Sequence, residues 1–260
     1  MKILIPSYGR TNRVEVLKYI PEKFLKDTFL CVAEHEHSDY KANYPDHNVI
    51  AIEEQGQGMG AVRKALTNRK YFEDDIVFLI DDDLYFAKRK GDPSKGGPLE
   101  RVTDKEQMVA VFDKLLYWMI QDKIPQVALA PRNGNNRVDG EHVECCRQTA
   151  FVGLNLNELD GAHYRLHIME DLDITLQLLR AGKKNRMLLT HCWDQGSNSA
   201  GGCSSFRSPE VQSKGAHSLR DHHPEFVKVV VKNQKQKWFA DKEVIHHDVI
   251  VQWKKAFSSF

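Results

Sequence analysis

Ile76-Val77-Phe78-Leu79-Ile80-Asp81-Asp82-Asp83 sets five consecutive apolar residues directly before three carboxylates. A short, continuous apolar run of this kind reads as a strand buried on both faces. The carboxylates then stand at the carboxyl end of a buried strand, the edge at which open α/β sheets bind ligands. Upstream, Gly58-Met59-Gly60-Ala61-Val62-Arg63-Lys64-Ala65-Leu66 is a glycine-led helix feeding that strand. Before it lie two further buried strands, residues 49–52 and 29–33, separated by a polar segment over 38–44 that holds a short helix. The chain opens with Ile3-Leu4-Ile5-Pro6, the turn-rich Ser7-Tyr8-Gly9-Arg10 and a helical stretch over residues 12–19. Strand and helix alternate, which predicts an open, mostly parallel α/β sheet flanked by helices.

Downstream of the carboxylates, residues 88–98 form a basic loop rich in Gly and Pro, and residues 103–121 a long helix with Thr103 as N-cap and Glu106 three positions on. Strands are expected over 127–130 and 149–156, flanking a polar loop over 132–147. A helix over 169–179 begins at Glu170-Asp171 and is closed by Gly182, and a last strand covers 187–190. Residues 191–207, with Gly196, Gly201 and Gly202, have the composition of a mobile lid. The tail from Pro209 is helical at first and then basic. Nothing repeats and no linker divides the chain, so residues 1–260 read as one domain.

Lys and Arg total 37 against 36 Asp and Glu, so any polyanion must be met by a local patch. The five cysteines are odd in number and have no Cys-x-x-Cys spacing, which favours reduced thiols in a cytoplasmic protein. Cys145-Cys146 and His191-Cys192 are adjacent pairs, poorly spaced for zinc. No apolar run approaches the roughly 18 residues needed to span a bilayer, so no membrane partner is expected.

The pattern of carboxylates suits transfer from a nucleotide sugar. Breaking the bond from sugar to phosphate builds charge on the leaving diphosphate, and a bound Mg²⁺ or Mn²⁺ stabilises it. Such hard cations take a few carboxylates and leave other positions to phosphate oxygens and water. Asp81 and Asp83 are two apart, so on an extended segment both point to one side and Asp82 to the other. In Glu170-Asp171-Leu172-Asp173 the helix dipole alone favours acids, but Asp171, with Glu170 beside it, is placed to take the proton of an acceptor hydroxyl. Pro6, Ser7, Tyr8 and Arg10 follow the first strand, where backbone N–H groups, a stacking ring and a guanidinium suit a nucleotide. Arg63 either pairs with the donor or lies on the surface. His191 and Asp194 are candidates to complete the metal shell, with His217, His222 and His223 as rivals. Gly58-x-Gly60 falls short of a dinucleotide fingerprint.

Taken together, the Ile5-to-Arg10 segment, the Gly58-to-Arg63 helix entry, Ile80-Asp81-Asp82-Asp83, Glu170-Asp171-Leu172-Asp173 and Trp193-Asp194-Gln195-Gly196-Ser197-Asn198 with Gly201-Gly202-Cys203 resemble the phage TET-associated glycosyltransferases. That resemblance implies a GT-A-like domain with a nucleotide-sugar half over about residues 1–90 and an acceptor half over about 91–260. It implies Asp81 and Asp83 as the DxD metal ligands, Asp82 and Arg63 on the donor side, and Asp171 as base. Trp193, Asp194, Gly201 and Gly202 would form an acceptor-side lid. The implied reaction moves a sugar from a UDP-linked donor to the hydroxymethyl group of 5-hydroxymethylcytosine in phage DNA, in the host cytoplasm. The base would be either exposed already or flipped out of the stack. Lys88-Arg89-Lys90 with Lys95, Lys183-Lys184 with Arg186, and the lysines from Lys228 to Lys237 are the available phosphate contacts. Two other readings remain: a GT-A enzyme acting on a glycan, protein or small molecule, and a non-catalytic sugar or nucleic-acid binding module. The module would have little use for two separated carboxylate clusters.

Overall fold

The computed structural model describes residues 1–195, 208–235 and 243–260. In chain order its elements are β1 (Lys2–Pro6), β2 (Thr28–Val32), α1 (His37–Asn43), β3 (Asn48–Ala51), α2 (Met59–Thr67), β4 (Ile76–Ile80), β5 (Leu84–Arg89), β6 (Leu99–Arg101) and α3 (Val109–Ile120). There follow β7 (Gln126–Pro131), β8 (His142–Glu144), β9 (Phe151–Asn155), α4 (Glu170–Arg180), β10 (Arg186–Gln195), α5 (Pro209–His222), β11 (Val227–Lys235), β12 (Glu243–Val251) and α6 (Trp253–Ser258).

Among the described residues, ten strands form one sheet in the order β3-β2-β1-β4-β9-β7-β10-β5-β6, with β8 paired to β10. The strands β3, β2, β1, β4, β7, β10 and β6 point one way; β9, β5 and β8 run against them. The expected open, mostly parallel, helix-flanked α/β sheet is what forms, with antiparallel members that strand-helix alternation cannot signal. β9 fits between β4 and β7 because Gly153 has no side chain. A Cβ there would meet Phe78 at 2.7 Å and Val127 at 2.9 Å.

The central strands are buried on both faces, and the alternation of Cβ directions divides the core in two. Ile3, Ile5, Phe78 and Ile80 pack on one side with Phe112, Leu115 and Met119 of α3. Leu4, Val77 and Leu79 pack on the other with Val62 and Leu66 of α2 and Ile174 and Leu178 of α4. A third cluster joins Leu172, Leu176 and Leu179 of α4 to Ala216 and Leu219 of α5, Val227 of β11 and Ala256 of α6.

Several local expectations shift. The helical stretch over residues 12–19 contracts to a 3-10 turn, Glu15–Tyr19. The long helix starts as a 3-10 turn at Lys105 whose cap is Asp104, not Thr103; the Asp104 carboxylate accepts the Glu106 N–H at 3.0 Å. The lid read over 191–207 is corrected in its first part. β10 continues through His191, Cys192, Trp193, Asp194 and Gln195, paired along β5 from His191↔Lys88 to Gln195↔Leu84. Ladder bonds and the buried Cys192 outweigh a polar local composition, and the Trp193 indole donates to Leu129 O at 2.9 Å. Gly196, Gly201 and Gly202 lie outside the described residues. The basic tail forms the antiparallel pair β11-β12. Among the described residues no helix is long and apolar enough to cross a membrane.

Candidate active site

From β1 the chain moves outward to β2 and β3, then returns to the other side of β1 as β4. The carboxyl ends of β1 and β4 therefore meet at a switch point, where crossovers diverge and leave a crevice. This brings the loop after Pro6 against Asp81-Asp82-Asp83. Ser7 Oγ donates to Asp82 and shares a 2.7 Å hydrogen bond with the Tyr40 hydroxyl. Arg10 Nη1 pairs with Asp82 and lies 3.1 Å from Asp83 Oδ2. Asp82 is thus turned into the protein, where it fastens the β1 loop to β4, and Arg10 Nη1 is shared between it and Asp83. Burial pushes its carboxyl up to about 6, with Arg10 opposing. Tyr8 is half-buried, its ring 6.0 Å from His35 in an edge-on arrangement.

His35, Glu36 and Gln55 belong to the same edge and were not singled out from the sequence. Glu36 accepts the Gly9 N–H at 2.9 Å, and Gln55 Nε2 donates to Cys31 O at 2.7 Å and Ser7 O at 3.3 Å. The signal was present: each follows a buried strand closely, as the triple aspartate does.

The second half of the site depends on how closely α2 approaches. A Cβ on Gly60 would fall 1.8 Å from Leu166 O, so only glycine lets the helix rest on the backbone that leads into α4. Gly60 N–H donates to His167 O at 3.3 Å. Arg63, one turn on, is buried with Nη2 3.2 Å from Asp81 Oδ1 and Nη1 3.1 Å from Glu170 Oε1. It is not a surface residue; it ties the two carboxylate clusters together. Burial raises the Asp81 carboxyl, Arg63 opposes this, and Asp83 and Asp171 add to it. Asp171 therefore stands within electrostatic reach of Asp81. It is half-buried in the first turn of α4, and its Oδ1 accepts the Leu172 N–H at 3.0 Å. Asp173 is engaged elsewhere, fully buried between Arg165 at 2.8 Å and His223 Nε2 at 2.8 Å.

The histidines do not gather at the aspartates. His223 is buried against Asp173, with Arg180 Nη1 3.0 Å from its Nδ1. His217 meets His247 at 3.2 Å, and His222 bonds Ser218 O at 2.8 Å. His191 pairs with Lys88, four residues from Gln195 at the aspartate end, a separation of about 13 Å along a strand. Its expected place in the metal shell is not where the ladder puts it, and burial lowers its pKa to about 4. Asp194 is half-exposed and 3.5 Å from Arg132. Instead Gln195 arrives at the cluster, with Nε2 3.4 Å from Asp81 Oδ2 and 3.3 Å from Asp83 Oδ1. Sequence reading passed over it because only the strand's register brings it there.

The basic clusters are largely paired within the chain. Arg89 is buried and donates to Pro93 O, Gly140 O and Val138 O. Lys88 pairs with Glu100, Lys183 with Asp160, Lys184 with Glu144, and Arg186 with Asp122 and Glu144. Among the described residues no three His, Cys, Asp or Glu converge on one point. Asp81 and Asp83 still suit a hard divalent cation shared with phosphate, since such sites use one or two carboxylates and take their other oxygens from substrate and water.

The chain is 22% identical over 236 residues to the beta-glucosyl-HMC-alpha-glucosyl-transferase of Enterobacteria phage T6, and 25% identical over 236 residues to that of phage T2. Each match covers 86% of this chain and 82% of the relative. The fold is similar to the crystal structure of GalNAc-T7 with UDP, GalNAc and Mn²⁺, with a TM-score of 0.50 at 9% identity, covering 92% of this chain and 48% of that one. The model of the TET-Associated Glycosyltransferase family matches residues 1–202. The chain belongs to that family and is a glycosyltransferase.

Proposed function

We propose that the protein moves a sugar from a UDP-linked donor, held through Mn²⁺ or Mg²⁺ on Asp81 and Asp83, to the hydroxymethyl group of 5-hydroxymethylcytosine in phage DNA, in the host cytoplasm. The observation that carries the reading is that the buried Arg63 bridges Asp81 to Glu170 at the switch point, with Asp83 and Asp171 within electrostatic reach of Asp81. The bound cation supplies Lewis-acid stabilisation of the leaving diphosphate. The remaining work falls to the chain. Arg10 and Arg63 orient the two aspartates, the Ser7-to-Arg10 loop receives the nucleotide, and Asp171 removes the acceptor proton as the hydroxyl oxygen bonds to the anomeric carbon. The bond from that carbon to the diphosphate breaks at the same centre, and the electron pair leaves with the diphosphate.

A base stacked inside a duplex is out of reach of such a crevice, so the modified base enters it either from a single strand or flipped out of the duplex. A second acceptor is favoured by the names of the phage T6 and T2 relatives, which describe transfer onto beta-glucosyl-HMC: here it is a hydroxyl of a sugar already on the base. Nucleoside mass spectrometry separates the two. Hydroxymethylcytosine DNA, bare and pre-glucosylated, is incubated with the protein, Mn²⁺ and a panel of nucleotide sugars. A sugar added to bare hydroxymethylcytosine supports the first acceptor, addition only to the glucosylated base the second, and donor hydrolysis with neither product removes DNA as the acceptor.

A further inference from the structure

We propose that Gln195 is a ligand of the cation, its carboxamide turning over to present Oε1 when the ion arrives. This rests on the metal reading above. The two arginines prepare the place. Arg63 holds Oδ1 of Asp81 at 3.2 Å, and Arg10 holds Oδ2 of Asp83 at 3.1 Å. The other oxygen of each carboxylate, Oδ2 of Asp81 and Oδ1 of Asp83, faces the single Nε2 of Gln195, at 3.4 and 3.3 Å. Two carboxylate oxygens thus face the amide end of Gln195, so an ion held by both would lie within reach of that amide.

Without the ion, a carboxamide between two carboxylates must present its N–H face, because ionised carboxylates only accept. With an ion between them the preference inverts, since Mn²⁺ and Mg²⁺ take oxygen. The oxygen and nitrogen of a glutamine amide are close to isosteric, so a half-turn about its last torsion exchanges donor for ligand with little movement of the backbone. The backbone is fixed in any case: Gln195 pairs with Leu84, the residue after Asp83, at the end of the β10-β5 ladder. His191, the candidate from the sequence, lies four residues further down the same strand.

The test is titration of the full-length protein with Mn²⁺ alone, following the electron paramagnetic resonance signal of the free ion, for wild type, Gln195→Ala, Gln195→Glu and Asp83→Ala. Thermal unfolding in EDTA first establishes that each variant is folded. The expected result is about tenfold weaker Mn²⁺ binding by Gln195→Ala, in the range seen when one supporting group of a metal site is lost. Gln195→Glu, which keeps an oxygen at that place, should bind at least as tightly as wild type. Unchanged binding by Gln195→Ala makes the residue a bystander, and tighter binding makes it only a plug; either overturns the inference. Should Asp83→Ala lose Mn²⁺ while Gln195→Ala keeps it, the metal reading stands without this ligand. Equal binding by wild type and Asp83→Ala removes both.

Discussion

Substituting Gly60 by Ala should destabilise the protein, against what helix propensity alone requires. The added Cβ would stand 1.8 Å from Leu166 O, 2.8 Å from its carbonyl carbon and 3.1 Å from His167 Cα. These are backbone atoms that no rotamer change moves aside, so α2 must retreat by on the order of 1 Å or more from a close-packed neighbour. Retreat breaks the Gly60 N–H bond to His167 O and draws Arg63 away from Asp81 and Glu170. Ala gains about 1 kcal/mol over Gly in a helix. Overpacking costs about 1–3 kcal/mol, the lost hydrogen bond about 1, and loosening a buried ion pair up to about 3–5. Overpacking and the lost hydrogen bond, less the helix gain, leave a loss of about 1–3 kcal/mol, or roughly 2–12 °C in Tm for a chain of this size, and any loosening of the ion pair adds to it. Urea and thermal unfolding, with Mn²⁺ binding measured on the same samples, read the effect. Gly97→Ala is the control: its Cβ would find Lys90 O at 4.0 Å, and its stability should stay within about 0.5 kcal/mol. A Gly60→Ala protein as stable as wild type, or more stable, would refute the close-approach argument.

Asp83→Ala is expected to abolish metal-dependent donor binding by calorimetry, whereas Asp171→Asn should keep donor binding and lower transfer by about 10²–10⁴-fold; unimpaired transfer by Asp171→Asn removes the base. Asp82 offers a test by pH. Its carboxyl is raised from 3.8 to about 6 by burial, so its contribution to stability is complete below about pH 4 and is lost as the pH rises through 6. Asp82→Asn, which cannot ionise, should therefore gain on wild type by on the order of 3 kcal/mol between pH 4 and 7, and parallel urea-midpoint curves for the two proteins would contradict this. Asp173→Ala strips the buried His223 and the exposed Arg165 of their shared carboxylate and should cost about 1.5–3 kcal/mol, loosening α5 from α4. Unchanged hydrogen exchange in α5 of that variant would show that the network does not anchor it.

How far the sequence could be read depended on whether a feature is local. Short apolar runs marked β1, β2, β3, β4, β7 and β9, and the glycine-led entry to α2 and the acidic start of α4 stood out, because strand burial, helix entry and the turn residues after a strand are settled within a few positions. The i, i+2 spacing read Asp82 apart from Asp81 and Asp83 on an extended segment, but residues 82 and 83 form a turn and Arg10 Nη1 pairs with both Asp82 and Asp83. The antiparallel insertion of β9, the extension of β10 through Gln195 and the β11-β12 pair were not legible, since strand pairing joins segments far apart and register alone decides which side chain reaches which edge. His191 was the more attractive ligand on chemistry, yet the ladder leaves it opposite Lys88 and delivers Gln195 to the aspartates. Sequence by itself determined that paired carboxylates follow a buried strand at a ligand-binding edge. Only the tertiary structure decided which oxygen of each is held: Arg10 reaches Oδ2 of Asp83 at 3.1 Å and Arg63 reaches Oδ1 of Asp81 at 3.2 Å. Orienting a carboxylate takes a partner fixed in space, and the crossover connections of the sheet supply it.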